Sequence, residues 1–308
     1  MHLINFIPRA VVLVTVTMMA VGCGGTATPD FLSRATPHEA YARSHEAAGL
    51  AETALVRDWH AAAARALAAP TPSKVPFQGE VVHEPVRPSA YGYTLELKRG
   101  RVLRVELEVE SSGPALVFMD LFPAMDSSRS PEPVASAKKD ATVLEHEVER
   151  DGTYILRIQP ELLRGGTLRI THRTSAALAF PVEGRTTAAV QSFFLDPRDN
   201  NTRDHHGIDI FAPRHTPVLA VADGYVTSVA ETPRGGLVVW IWHPDRRQSH
   251  YYAHLEKQAV TTGTRVKTGD IVGYVGNTGN ARTTPPHLHF GIYSRGDGPI
   301  NPLPWVAP

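Results

Sequence analysis

Apolar and charged residues alternate from Arg101 to Glu110, where Leu103, Val105, Leu107 and Val109 interleave with Arg and Glu. The same period runs through Ser89–Lys98, on Tyr91, Tyr93, Leu95 and Leu97. A period of two puts every apolar member on one face of an extended strand. Shorter runs at Val117–Phe122, Val143–Val148, Thr153–Ile158 and Thr167–Thr171 read as further strands, and Lys98-Arg99-Gly100 reads as a tight hairpin turn. Short strands at regular spacing predict a β-sandwich accessory domain over residues 76–175, with Pro123–Asp140 as a long loop. A second series follows at Pro217–Ala222, Tyr225–Ala230, Leu237–His243, His250–His254, Ile271–Val275 and Leu288–Tyr293. It predicts an antiparallel sheet bent into a small open barrel or groove over residues 180–308, with Asp223-Gly224 as a hairpin turn. Residues 36–70 differ. They are Ala-rich and open on Thr36-Pro37-His38-Glu39, a capping box with Pro at the first helical position. That predicts one long helix or a helical pair, broken at Thr71-Pro72-Ser73. The chain therefore reads as mainly β, with a helical segment ahead of two β domains.

The first residues carry a different pattern. Arg9 precedes an apolar run from Ala10 to Met19, and small residues follow. This is a secretory signal pattern, shorter than a membrane span requires. Ala20-Val21-Gly22-Cys23 resembles the bacterial lipobox, in which the cysteine is acylated and becomes the first residue of the mature chain. The expectation is a signal peptide over 1–22, a lipid on Cys23 and a small-residue tether over 23–35. Gly24 after the cysteine favours an outer-membrane location facing the periplasm if the host is Gram-negative.

Composition narrows the chemistry. Lys+Arg and Asp+Glu both number 31, so no broad basic field points to nucleic acid. Cys23 is the single cysteine, which excludes an intrachain disulfide and a cysteine-based metal cage. Histidine is abundant at 15, and half of the 24 glycines lie beyond residue 200, in the turn-rich C-terminal part.

Two histidine motifs stand out there. His205-His206-Gly207-Ile208-Asp209 contains H-x-x-x-D, and His287-Leu288-His289 is H-x-H. On a strand, positions i, i+2 and i+4 share a face, so His287 and His289 point the same way and His205 and Asp209 can converge. Imidazole and carboxylate are zinc ligands, and catalytic zinc keeps three protein ligands and an open position. Either motif alone is short enough to arise by chance among 15 histidines.

The company of these motifs is more specific. Arg203–Pro213 is followed by Thr216-Pro217-Val218, Ala222-Asp223-Gly224-Tyr225-Val226 and Tyr252-Ala253-His254-Leu255. Then come Val266-Lys267-Thr268-Gly269-Asp270, Gly273–Gly279, Pro286-His287-Leu288-His289-Phe290 and Asn301-Pro302. In this order, residues 190–305 closely resemble the lysostaphin/LytM-type zinc metalloendopeptidases, which cut peptidoglycan peptides. The resemblance does not extend to residues 24–175.

The resemblance implies a LytM-type domain and assigns roles. His205, Asp209 and His289 match the zinc ligands, and His254 and His287 match the two catalytic histidines. Their separate roles stay open. His206 is read as supporting or structural, His215 as a loop variation where glycine is common, and His243 as a residue that could line the groove. Trp240 and Trp242 are read as sheet packing. The sequence departs from the common pattern at Gly291, where many relatives have Glu, at Asn280–Pro286, and at Arg234-Gly235-Gly236-Leu237. The resemblance thus implies a zinc-dependent peptidoglycan endopeptidase, anchored by the lipid, with no nucleic-acid partner. The alternative is a latent or non-catalytic LytM-type regulator that binds peptidoglycan or activates cell-wall amidases. Such relatives have lost ligands, and this sequence retains all five site positions.

Overall fold

Strands Tyr91–Leu97 and Arg101–Ser111 turn their apolar alternation onto one core from opposite sides. In the computed structural model, which describes residues 35–124 and 132–307, the first lies in a five-stranded sheet and the second in a four-stranded one. Lys98-Arg99-Gly100 is therefore not a hairpin turn. It carries the chain from one sheet to the other, because both apolar faces are satisfied only when the sheets stack. Gly100 takes φ +84° there, and a Cβ would stand 2.6 Å from the Trp305 ring. The four-stranded sheet runs in the order Phe77–His83, Gly166–Ala176, Arg101–Ser111, Val143–Glu147. In the other sheet Gly152–Pro160 is flanked by Tyr91–Leu97 and Val117–Pro123. Leu95, Leu103, Val105, Leu121, Leu156 and Leu168 are fully buried between the sheets.

The Ala-rich stretch forms two helices, Pro37–Ala47 and Ala54–Ala68. Thr36 and Glu39 make the reciprocal capping box, which satisfies two orphan donors of the first turn. Trp59 pins the helices to the Gly152–Pro160 strand. Its Nε1 donates to Pro160 O at 2.9 Å, Gln159 Nε2 donates to Trp59 O at 2.9 Å, and the His38 ring stacks on it at 4.7 Å.

The C-terminal residues build a ten-stranded sheet around a second core. Its central order is Ile208–Phe211, His287–Ser294, Gln248–Gln258, Gly236–His243, Gly224–Thr232, with antiparallel pairing throughout. The sheet is open and does not close into a barrel. Asp223-Gly224 is not a hairpin turn either. Pro217–Leu219 pairs with Ile271–Val275, whereas Gly224–Thr232 pairs with Gly236–His243 and Arg265–Val266. The Asp223 carboxylate instead accepts from the Thr268 amide and hydroxyl, which ties it to the next turn.

Ion pairs join the two cores. Arg246 holds Glu147 with two bonds of 2.6 Å, and Arg99 meets Asp297 at 2.8 Å. A cleft of about 1190 Å³ runs along this seam. Among the described residues no helix is long and apolar enough to cross a membrane. The signal pattern and Cys23 lie outside the described residues.

Candidate metal centre and cleft

Alternation along His287–Ser294 separates core from site. Leu288, Phe290 and Ile292 are fully buried in the core, which turns His287, His289, Gly291 and Tyr293 to the other face. Register then brings the neighbours in. Asp209 pairs with His289 and Phe211 with His287 on one side, and Ala253 pairs with His289 and Tyr251 with Gly291 on the other. His205 does not sit on a continuous strand with Asp209. It lies in the bend before Ile208–Phe211, yet its Nε2 comes within 3.0 Å of Asp209 Oδ1 and 2.9 Å of His289 Nδ1. Asp209 Oδ1 is 3.0 Å from His289 Nδ1, so one donor atom from each residue meets at a single point.

The protonation pattern tests whether a cation fits. His205 Nδ1 donates to Phe193 O at 2.8 Å, which leaves Nε2 as an acceptor in the neutral ring. A lone-pair nitrogen then faces a carboxylate oxygen at 3.0 Å. Two acceptors at that distance repel unless a proton or a metal ion lies among them. For metal–ligand bonds of 2.0–2.2 Å, the edge of a zinc tetrahedron is about 3.4 Å. The donors need to part by only a few tenths of an ångström, and two imidazoles with one carboxylate are the donor types zinc takes. With no metal ion among them, a proton on His205 or His289 takes its place. Burial pushes the Asp209 carboxyl upward, but the hydrogen bonds and charge of those rings outweigh it and hold the group well below the usual carboxylate range. Burial also depresses His289, which favours the neutral, ligating ring.

His254 and His287 flank this point without joining it. Their rings lie 5.1 Å apart, and His254 is 6.0 Å from His289. Each gives Nδ1–H to a backbone carbonyl: His254 to Thr278 at 2.9 Å, His287 to Pro285 at 2.9 Å. Nε2 of each ring has no hydrogen-bond partner among the described residues. Burial, reinforced by the charges of His289 and His287, lowers His254 to about 4, so it is neutral at pH 7. Its backbone sits at φ +62°, where a residue with a Cβ is strained. The Gly235 carbonyl holds the His254 amide there at 2.7 Å, beside register shifts in Gln248–Gln258.

Sequence reasoning missed several parts. Arg198 Nη2 donates to the outer oxygen of Asp209 at 3.0 Å and also bonds Ser192. Nothing local in Pro197-Arg198-Asp199 signals that contact, because it depends on how the chain folds back. Trp240 is not simple packing. It packs at a tilt against Tyr251 at 4.4 Å and Tyr293 at 5.0 Å and lines the cleft, giving it an aromatic wall. Gly291 explains the missing Glu: a Cβ there would crowd His206 O at 2.9 Å and the Tyr293 ring at 3.2 Å. His206 is exposed and lines the cleft, and it is not on a strand. His243 lies in the seam cleft beside Arg246, away from the site. His215 adopts φ +69°, which accounts for glycine being common at that place. The site cleft, of about 510 Å³, is lined wholly by residues between Arg198 and Tyr293, so no described part of the sandwich or helices covers it.

Residues 203–302 match the model of peptidase family M23, and this part of the chain is an M23 peptidase domain. The chain is 40% identical over 114 residues to the DD-carboxypeptidase/endopeptidase Mpg of Neisseria meningitidis serogroup B, covering 37% of this chain and 25% of that protein. It is 39% identical over 95 residues to the glycyl-glycine endopeptidase ALE-1 of Staphylococcus capitis, covering 30% and 26% respectively. Among solved structures, the catalytic domain of lysostaphin from Staphylococcus simulans is 30% identical. That match covers 37% of this chain and 88% of that domain, with a TM-score of 0.35. The chain thus spans about a quarter of the length of the two curated relatives.

Proposed function

We propose that this protein is a zinc-dependent endopeptidase that hydrolyses peptide bonds in peptidoglycan stems or cross-links. The observation that carries the reading is the meeting of His205, Asp209 and His289 at one point, flanked by two imidazoles with free Nε2 atoms. His205, Asp209 and His289 are the residues that would hold the metal. When bound, zinc supplies Lewis-acid polarisation of a carbonyl and acidifies water. The chain's own groups do the rest. One of His254 and His287 takes a proton from water as its oxygen adds to the carbonyl carbon, and returns it to the departing amine. The other donates a hydrogen bond to the oxygen that gains charge, once protonated. Arg198 fixes the Asp209 carboxylate with Oδ1 toward the imidazoles. The open cleft and the complete residue set weigh against the latent-regulator reading, because no described residue outside the peptidase domain blocks access.

Acylation at Cys23 would place the enzyme on a membrane, at about 0.8 kcal/mol per buried methylene. The lipobox-like sequence supports this, and with Gly24 it supports an outer-membrane location in a Gram-negative host. The test is mass spectrometry of fragments released from peptidoglycan by the purified chain with zinc, against a chelated control. New amino termini only in the zinc arm support the reading. Binding without cleavage of any peptidoglycan type refutes it.

A further inference from the structure

The cleft's charges are unequal. Three arginines line it, Arg198, Arg203 and Arg234, against two aspartates, Asp199 and Asp209, and no Glu or Lys. Both carboxylates are already engaged, Asp209 by Arg198 at 3.0 Å and Asp199 by Arg203 at 2.9 Å. Arg234 has no ion pair or side-chain hydrogen bond among the described residues. Its side chain is exposed at the cleft rim, and its backbone is tied down. Its carbonyl accepts from Asn280 N at 3.0 Å, and the next residue, Gly235, holds the His254 amide. Arg234 lines the same cleft as Trp240, Tyr251 and Tyr293. The whole chain is formally neutral, yet its site cleft carries a surplus cation before any metal ion adds more.

We infer that Arg234 is a specificity residue, forming with the Trp240–Tyr251–Tyr293 wall a subsite for a carboxylate of the substrate. The inference rests on the peptidase reading and names its substrate class: peptides bearing free carboxylates, in preference to uncharged bridges such as polyglycine. Curated relatives named for both DD- and glycyl-glycine cleavage share this domain, so the family match alone does not choose between them. A guanidinium takes a carboxylate through paired N–H donors, and the rings in the same cleft give the peptide an apolar wall to lie against. A glycine bridge offers no anion to this cation.

The test uses the full chain with zinc and one cross-linked stem peptide in two forms, free acid and carboxyl-amidated. Both kcat/KM and calorimetric binding are measured. The unaltered protein is expected to prefer the acid form about ten-fold at low salt, with the preference shrinking as salt rises. In R234Q the preference should fall about five-fold, and R234K should retain it, since lysine keeps the charge. Equal use of both forms by the unaltered protein, or a preference that R234Q leaves intact, overturns the subsite alone. A protein that cuts neither form but binds the acid through Arg234 refutes the peptidase reading and keeps the subsite. Equal binding with no cleavage sinks both.

Discussion

His172 is fully buried in the sandwich and neutral, and its protonation should set part of the protein's acid limit. Its ring stacks on Phe77 at 4.9 Å, Nε2 lies 3.1 Å from Ser73 Oγ, and Nδ1 has no partner. Burial lowers it to about 4 from an ordinary 6.5. Between those values the unfolded chain binds a proton that the folded chain refuses. Stability is therefore full above about pH 6.5, declines as pH falls toward 4, and loses nothing further from this group below that. At pH 5, about 1.5 pH units below the ordinary value, the loss is about 2 kcal/mol, from about 1.4 kcal/mol per unit. Urea unfolding of the wild type and His172→Leu at pH 8 and pH 5 measures it, because other groups cancel in the difference. The wild type should lose about 2 kcal/mol more than the variant between the two pH values. Equal losses, or an NMR titration placing His172 near its ordinary value, would refute the reasoning. His38, lowered to about 4, and His250, lowered to about 3 by burial, should add to the acid sensitivity that remains in the variant.

Other expectations concern the site and the packing. His254→Ala should lower kcat by about 10²–10⁴-fold while zinc content stays near that of the wild type; loss of zinc in that variant would make the residue a ligand instead. Zinc at 100 times its Kd should raise unfolding free energy by about 2.7 kcal/mol, an effect that chelator and His289→Ala both remove, as denaturant titration would show. Trp59→Ala should cost about 3–5 kcal/mol, since the indole is fully buried and holds both helices to the sandwich; a smaller loss by chemical unfolding would mean the helices dock without it. Glu147→Ala should leave peptidoglycan cleavage within about two-fold, because the Arg246 pair lies in the other cleft and is partly exposed; a larger drop in initial rate would show that the seam governs the site.

Part of the candidate site was legible because strands bring out side chains by parity, whereas His254 was reached only through the family resemblance. His287 and His289 share a face for that reason, and the register places Asp209 beside His289. What stayed hidden depends on long-range closure. The turn at Lys98–Gly100 looks like a hairpin because its flanking strands alternate alike, yet alternation cannot say which sheet a strand joins. Asp223-Gly224 carries a hairpin dipeptide, but the Asp side chain serves Thr268 instead. Arg198 reaches Asp209 across a fold-back whose Asp199, Asn200 and Asn201 all take positive φ, a conformation these types tolerate but do not announce. The left-handed backbone of His254 is likewise fixed by its sheet neighbours and not by its own sequence. The Phe77–His83 strand escaped notice because two of its four inward positions are Gly79 and His83 and the outward Val82 is apolar, which breaks the alternation.

The central claim is that His205, Asp209 and His289 together hold one divalent ion. Anomalous diffraction from crystals of the zinc-loaded protein tests it directly. A single strong peak within about 2.0–2.2 Å of His205 Nε2, Asp209 Oδ1 and His289 Nδ1, with His254 and His287 outside bonding distance, is the predicted result. A peak elsewhere, or none at this point in zinc-saturated crystals, would contradict the account.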